Sequence, residues 1–136
     1  MPTRLATEDE ELAACLQKAP SEIQREVVLM AARAAAEAAG FPQLLEGLAQ
    51  PPKEGRDLAE YRDELDEEYF QLDTKARQDA SLAASALAAF RRARAVAAIA
   101  FLAEGRLDES LYESLHAMSD RSAIRDGSVQ RLRSET

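Results

Sequence analysis

The chain has 136 residues, a length that suits one domain and excludes a multidomain enzyme. Alanine occurs 28 times, against 5 glycines and 5 prolines, and aromatic residues make up only 5%. This composition favours helices and lacks the residues typical of a β-sandwich, so the sequence predicts an all-α fold. The formal net charge of −8 argues against nucleic-acid and anionic-membrane partners, because both are bound through clustered cations.

Capping signals predict the starts of two helices within the first forty residues. Thr7 and Glu10 have the three-residue spacing of a capping box, which predicts a short helix ended by the following proline. Ser21 and Gln24 repeat the signal and predict a longer helix that ends before Gly40. The apolar residues of this second helix are spaced three or four apart: Ile23, Val27, Met30, Ala31, Ala34 and Ala38.

Residues 41–56 separate these helices from the rest of the chain. Phe41 to Gln50 can form one or two turns, and the proline-rich run over residues 51–56 is typical of a linker. No internal repeat is visible on either side of the linker. Because the length of the chain suits one domain, we expect the two sides to fold together as one helical domain over residues 1–120.

Asp57 and Glu60 predict the start of a third helix, which runs to about Leu72. Its apolar residues fall within a sector of roughly 80° when they are plotted at 100° per residue. A stripe this narrow is closer to a coiled-coil seam than to the wide face of a central helix. We therefore expect this helix on the outside of the fold. The stripe consists of Leu58, Tyr61, Leu65, Tyr69 and Leu72.

A fourth helix is predicted from Thr74 or Ser81 to Glu104, with Gly105 after it. Its residues 80–104 are apolar around nearly the whole circumference, so we expect this helix at the centre of the bundle. It is not predicted to span a membrane, because each cation at mid-span would cost about 2.5–3.5 kcal/mol in a bilayer. Those cations are Arg91, Arg92 and Arg94.

A fifth helix begins near Asp108 and carries Leu111, Leu115 and Met118 on one side. The chain then loses its apolar periodicity and gains four arginines, so we expect a frayed or flexible C-terminal tail over residues 121–136. The predicted architecture is a compact bundle of about five helices.

The third helix carries most of the net charge, with eight carboxylates against one arginine over residues 57–73. The carboxylates project away from the apolar stripe, which indicates either a solvated face or a docking surface for a cationic partner. Phe70 points about 120° from the stripe and lies among the charges, as an interface anchor does. The alternative is a bend near Asp73 that folds Phe70 against the central helix. The predicted contact residues are Glu60, Asp63, Glu64, Asp66, Glu67 and Phe70.

The arginines of the fourth helix form its one basic cluster. A buried guanidinium requires a carboxylate, and the acidic third helix can supply one, so we predict an internal row of ion pairs. The alternative is a surface patch for an anion or an acidic partner, although neither a glycine loop nor interleaved aromatic residues accompany the cluster.

Few residues are suited to catalysis or metal binding. Glu113 and His116 have the Glu-x-x-His spacing of helical di-iron centres, but one histidine cannot complete such a site within one chain. The single cysteine, Cys15, lies on an alanine-rich face suited to burial, and no nucleophile or phosphate-loop motif occurs. The sequence therefore predicts no enzyme, no catalytic residue, no metal and no cofactor.

Two features predict a cytoplasmic protein. A single cysteine excludes an intrachain disulfide, so nothing indicates an oxidising compartment. Four acidic residues at positions 8–11 fall where a signal peptide would need its apolar core. Arginine outnumbers lysine 14 to 3, which indicates GC-rich coding of the kind found in bacteria.

In size, acidity and helicity the chain is similar to bacterial immunity and inhibitor proteins, although no motif carries the similarity. We expect an interaction domain that binds a basic protein partner, such as a bacterial toxin, and binds neither nucleic acid nor membrane. One alternative is a structural homo-oligomer that packs through alanine faces. Another is a metal-dependent enzyme whose site is completed across an oligomer interface by Glu113 and His116.

Overall fold

The computed structural model describes residues 3–40, 56–118 and 120–134, and for residues 56–59 and 61 it describes the backbone alone. The described chain is an all-α bundle, as predicted. Of the turns and linker predicted over residues 41–56, residues 41–55 lie outside the described residues, and Arg56 already belongs to a helix. The helices are α1 (Arg4–Glu8), α2 (Glu10–Lys18), α3 (Ser21–Ala38), α4 (Arg56–Ala76), α5 (Ala83–Ala103), α6 (Leu107–Ala117) and α7 (Ser122–Ser134), with a 3₁₀ turn at Ala80–Leu82.

The first predicted helix is in fact two helices, α1 and α2, which meet at Asp9. The Asp9 carboxylate accepts a hydrogen bond from a backbone amide of α2 at 3.0 Å and so caps that helix. Thr3 caps α1 in the same way, at 3.1 Å. The capping box predicted from Thr7 and Glu10 is therefore wrong, because other side chains bond to the free amides.

Glycines with positive φ follow the two long helices that were predicted to end at glycine. Gly40 has φ 85° after α3, and Gly105 has φ 77° after α5, a conformation that glycine adopts without steric cost. The start of α3 differs from the prediction. Pro20 is its N-cap, and the side chain of Gln24 donates to a backbone carbonyl at 2.9 Å, so the predicted capping box does not form.

The main core lies among all the described helices except α4. The second half of α5 is at its centre, between α3, α4 and α6. Small side chains let the helices approach closely, and Ser110 of α6 donates to the carbonyl of Ala98 in α5 at 2.7 Å. The larger buried residues of this core are Leu5, Leu12, Leu16, Val27, Val28, Ile99, Leu102, Leu111, Leu115, Val129 and Leu132.

The first half of α5 departs from the prediction of a helix at the centre of the bundle. Leu87 is 47% exposed, and Ala83, Ala84 and Ala88 are also exposed. Here α5 packs mainly on α4, with which it forms a helical hairpin, so the remaining sides of the helix face solvent. None of the described helices combines the length and the apolar character needed to cross a membrane.

Helix α4 lies on the outside of the bundle, as its narrow stripe predicts. Leu65 of the stripe is buried against Ala93 and Val96 of α5, in a cluster separate from the main core. Two further stripe residues, Leu58 and Tyr61, have side chains outside the described part of the chain. The opposite side of α4 is consequently available to solvent.

The prediction of a frayed tail is wrong, because residues Ser122–Ser134 form helix α7 and Leu132 is fully buried. Helix α7 packs on α2 and α3. Arg125 donates to Asp9 at 2.8 Å, and Arg131 pairs with Glu26 of α3 at 2.8 Å. The arginines that obscure the apolar pattern in the sequence are therefore among the residues that fix this helix in place.

Candidate functional site

The inner carboxylates of α4 face the arginines of α5. Arg94 pairs with Asp66, and Nη2 of Arg92 lies 3.3 Å from an oxygen of Glu68. The predicted internal row of ion pairs is therefore present only in part: the pair of Arg94 is partly buried, whereas the pair of Arg92 is exposed. Arg91 does not belong to it, since it forms no ion pair with any described carboxylate.

Arg94 also connects α5 to α6. Its Nη1 donates to Oε2 of Glu113 at 2.9 Å, and Glu113 is only 2% exposed. The other oxygen of Glu113 accepts a hydrogen bond from Nη2 of Arg4 at 2.9 Å. Two guanidinium groups thus balance one buried carboxylate, as burial of a charge requires. The network joins α1, α4, α5 and α6.

These contacts correct the prediction for Asp66 and define the partners of Glu113 and His116. Asp66, predicted to contact a partner, bonds instead to Arg94, because its helical position turns it toward α5. Glu113 and His116 do not converge on a common site, because His116 Nε2 lies 2.6 Å from Glu8. Within the described ranges, no group of three or more histidine, cysteine or acidic residues could hold a metal ion.

Two carboxylates near the start of the chain have lowered pKa values. Burial raises the pKa of Glu8, but hydrogen bonds from His116 and Arg121 outweigh it, so this pKa lies below its ordinary value. The hydrogen bond from Arg125 lowers the pKa of Asp9; burial opposes this shift and the bond from the α2 backbone adds to it. Both carboxylates join the first two helices to the C-terminal part of the bundle.

The outer carboxylates of α4 have different surroundings. Glu60, Asp63, Glu64 and Glu67 are exposed, and we call these four residues the outer acidic face. Asp63 pairs with its neighbour Arg62 at 3.3 Å, a surface contact worth little. Among the described side chains, no lysine or arginine forms an ion pair with the other three. The outer acidic face therefore keeps its negative potential.

Phe70 lies beside the outer acidic face, with 62% of its surface exposed. Asp63, Glu67 and Phe70 follow one another at four and three residues, so they form a line along the helix. The ring contacts Tyr69, with 5.7 Å between centroids. Helix α4 continues past Asp73 to Ala76 and the Phe70 ring is exposed, so the alternative in which Phe70 folds onto α5 is wrong.

An apolar surface next to Phe70 was not predicted from the sequence. Tyr69 and Phe90 pack at 5.2 Å between centroids, in a groove of about 340 Å³ between α4 and α5. Leu87 lies at its edge. The sequence did contain a signal for this surface, because residues 80–90 carry no charged side chain. That uncharged run was interpreted as a sign that the helix is central in the bundle, so an exposed groove was not predicted.

Comparisons with protein-family models, with curated proteins and with solved structures gave no match. The functional interpretation of this surface is therefore based on its chemistry alone.

Proposed function

We propose that this chain is a helical interaction domain whose outer acidic face binds a basic protein partner. The observation that carries the proposal is the exposure of the Phe70 ring in line with Asp63 and Glu67. An exposed aromatic ring can enter a pocket on a partner and supply much of the binding energy. The carboxylates beside it attract lysine and arginine and set the orientation of the complex.

The division of charge on α4 supports this proposal. The carboxylate that joins α4 to the buried network, Asp66, is partly buried and bonds to Arg94. The outer acidic face contributes nothing comparable to the fold, and its like charges at three- and four-residue spacing cost helix stability. A partner that supplies the missing cations would remove this repulsion.

The position of Phe70 argues against a face that is merely solvated. A helix that only separates core from water places its large apolar side chains inward, as α4 does with Leu65. Phe70 departs from that pattern by facing water among carboxylates. Its ring also continues through Tyr69 to Phe90, and a contiguous exposed apolar surface rimmed by charges is typical of an interaction site.

A narrower form of the proposal is that the partner is a bacterial toxin, which this chain neutralises in the cytoplasm. Its support is the similarity in size, acidity and helicity to immunity and inhibitor proteins. Recovery of a basic toxin by affinity capture from the native host would support this narrower form.

The test of the general proposal is a charge reversal on the outer acidic face. With a basic partner recovered by affinity capture, we expect Asp63→Lys/Glu67→Lys to lower the association rate about tenfold at low salt. The salt dependence of the rate should also flatten, because the attraction that salt screens has been removed. Stopped-flow or surface-plasmon measurements at several salt concentrations give both quantities.

The matched control is Glu37→Lys/Asp126→Lys, which makes the same change in net charge at exposed positions of α3 and α7. We expect this variant to change the association rate less than about twofold, because steering depends on charges near the contact surface. Equal effects of the two variants, or no effect of the first, would remove the outer acidic face from the mechanism.

A further inference from the structure

We propose that the groove between α4 and α5 receives apolar side chains from a cationic amphipathic helix of the partner. This inference deepens the proposed function and rests on it. The groove supplies an apolar contact, and the neighbouring outer acidic face supplies the charge that selects the occupant.

The groove is built from aromatic and small side chains. Tyr69 and Phe90 pack against each other at 5.2 Å and 57° between ring planes. Ala83, Ala86 and Leu87 of α5 line the same space. Its volume of about 340 Å³ is near the lower end of the roughly 300–1,000 Å³ range of ligand pockets. That volume suits a few inserted side chains.

Exposed apolar groups continue from this groove onto the hairpin surface. Phe70 is 62% exposed and contacts Tyr69, while Leu87 is 47% exposed on the opposite helix. An apolar strip therefore crosses the hairpin in the order Phe70, Tyr69, Phe90, Leu87. A helix laid against such a strip would place apolar residues three and four positions apart into it, as in other helix-in-groove complexes.

The charges beside the strip select a cationic helix. Asp73 lines the groove and, among the described side chains, has only the exposed Arg77 as an ion-pair partner, at 3.2 Å. Asp63 and Glu67 lie in line with Phe70 on the outer face. Lysine and arginine on the flanks of a bound helix would meet these carboxylates while its apolar side chains fill the groove.

A second copy of this chain is a poorer occupant on the same grounds. An isologous contact uses the same patch on both subunits, so the outer acidic face of one copy would join that of the other at one interface. Like charges placed together at an interface are unfavourable. The alanines exposed on α5 allow close approach by any helix, so they do not themselves favour a second copy.

The test uses two labelled peptides of about 18 leucines and lysines, which form a helix about 27 Å long. One has leucines at helical spacing, and the other has the same composition in scrambled order. We expect fluorescence anisotropy to show that the patterned peptide binds at least about tenfold more tightly. Chemical-shift changes in the protein should concentrate on α4 and the first half of α5.

Substitutions on the strip give the matched comparison. Phe70→Ser and Leu87→Ser should each weaken binding of the patterned peptide about tenfold. Met30→Ser, which alters a side chain of α3 that is 58% exposed, should change it less than about twofold. All three side chains are exposed, so the variants should fold, and circular dichroism checks this.

The outcomes separate this inference from the proposed function. Equal binding of the two peptides, lost in Asp63→Lys/Glu67→Lys, would overturn the groove and support the outer acidic face. Binding of neither peptide would count against both. A protein that sediments as a dimer and becomes a monomer in Leu87→Ser would show that a second copy occupies the groove, and would overturn the inference.

Discussion

Asp9 makes two contacts that belong to different levels of the structure. One oxygen caps α2 at 3.0 Å, and the other accepts a hydrogen bond from Arg125 of α7 at 2.8 Å. A local signal and a long-range ion pair thus share one side chain. From the sequence, Thr7 was predicted as the cap, because Thr7 and Glu10 have the standard spacing of a capping box. The break between α1 and α2 at Asp9 was not predicted, because the partner of Asp9 lies in α7, far away in the sequence.

Replacing Asp9 separates the two contacts. Asp9→Ala removes both, and we expect it to lower the free energy of unfolding by about 1–2 kcal/mol. Asp9→Asn should cost less, because asparagine is as good an N-cap as aspartate. Urea unfolding at neutral pH measures both. The control Asp126→Ala removes an exposed carboxylate 3.2 Å from the same Arg125, and a loss there above about 0.5 kcal/mol would contradict this account.

Acid should remove the contribution of the Asp9 carboxylate. Its pKa in the folded chain is below its unfolded value of about 3.9, mainly because of Arg125. The unfolded chain therefore binds the proton first as the pH falls, and stability is lost from just above the unfolded pKa down through the folded pKa. Glu8 acts in the same direction. The gap in stability between the native chain and Asp9→Asn should close over this interval, and a constant gap would refute the assignment.

Glu113 is a second residue at which burial makes charge balance decisive. Glu113→Ala removes one carboxylate partner of Arg94. The Nε atom of Arg94 is already buried without a hydrogen bond. We expect the free energy of unfolding to fall by about 3 kcal/mol, as for other broken buried pairs. Thermal and urea unfolding measure it. Arg77→Ala, which removes the exposed pair with Asp73, should cost less than about 0.5 kcal/mol; similar losses would show that burial does not matter here.

The sequence predicted part of this network and missed part. The need of the arginines for carboxylates, and their supply by α4, follow from composition along two neighbouring helices. The role of Glu113 does not, because it depends on how α6 packs against α5 and α1. Its spacing to His116 pointed to metal chemistry, whereas tertiary packing directs the two side chains to different partners.

At the scale of elements, helix ends defined by glycine were predictable and α7 was not. Gly40 and Gly105 act through their own backbone conformation, which needs no distant partner. Helix α7 has few apolar residues, and it is fixed by ion pairs to α2 and α3 that a periodicity argument does not detect. For that reason, the arginines of α7 led to the prediction of a flexible tail.

The packing of α7 can be tested through Leu132, which is fully buried in the main core. Leu132→Ala should lower the free energy of unfolding by about 3 kcal/mol, through lost burial and the cavity left behind. Gln130→Ala, at an exposed position of the same helix, should change it by less than about 0.5 kcal/mol. Urea unfolding gives the values. A tail that contributes nothing to the fold would show no difference between the two variants.

For the whole molecule, composition was enough to predict an all-α bundle, and the narrow apolar stripe was enough to place α4 on the outside. The sequence left two positions open for Phe70, facing solvent or folded against α5, and the structure shows the first. The groove between α4 and α5 was beyond such reasoning. An uncharged stretch such as residues 80–90 has the same sequence pattern whether other helices cover it or leave it exposed to solvent. Only the arrangement of neighbours around α5 shows that its first half is left uncovered on several sides.

The joint between α2 and α7 also bears on the order of folding. Arg125 and Asp9 are 116 residues apart in the chain, and Arg133 and Glu11 are 122 apart. The hairpins that α5 forms with α4 and α6 join neighbours in sequence and close short loops. The contacts between α2 and α7 instead close a loop that contains most of the chain, at a greater entropic cost. We expect the hairpins to assemble early and the packing of α7 on α2 to be the last step of folding.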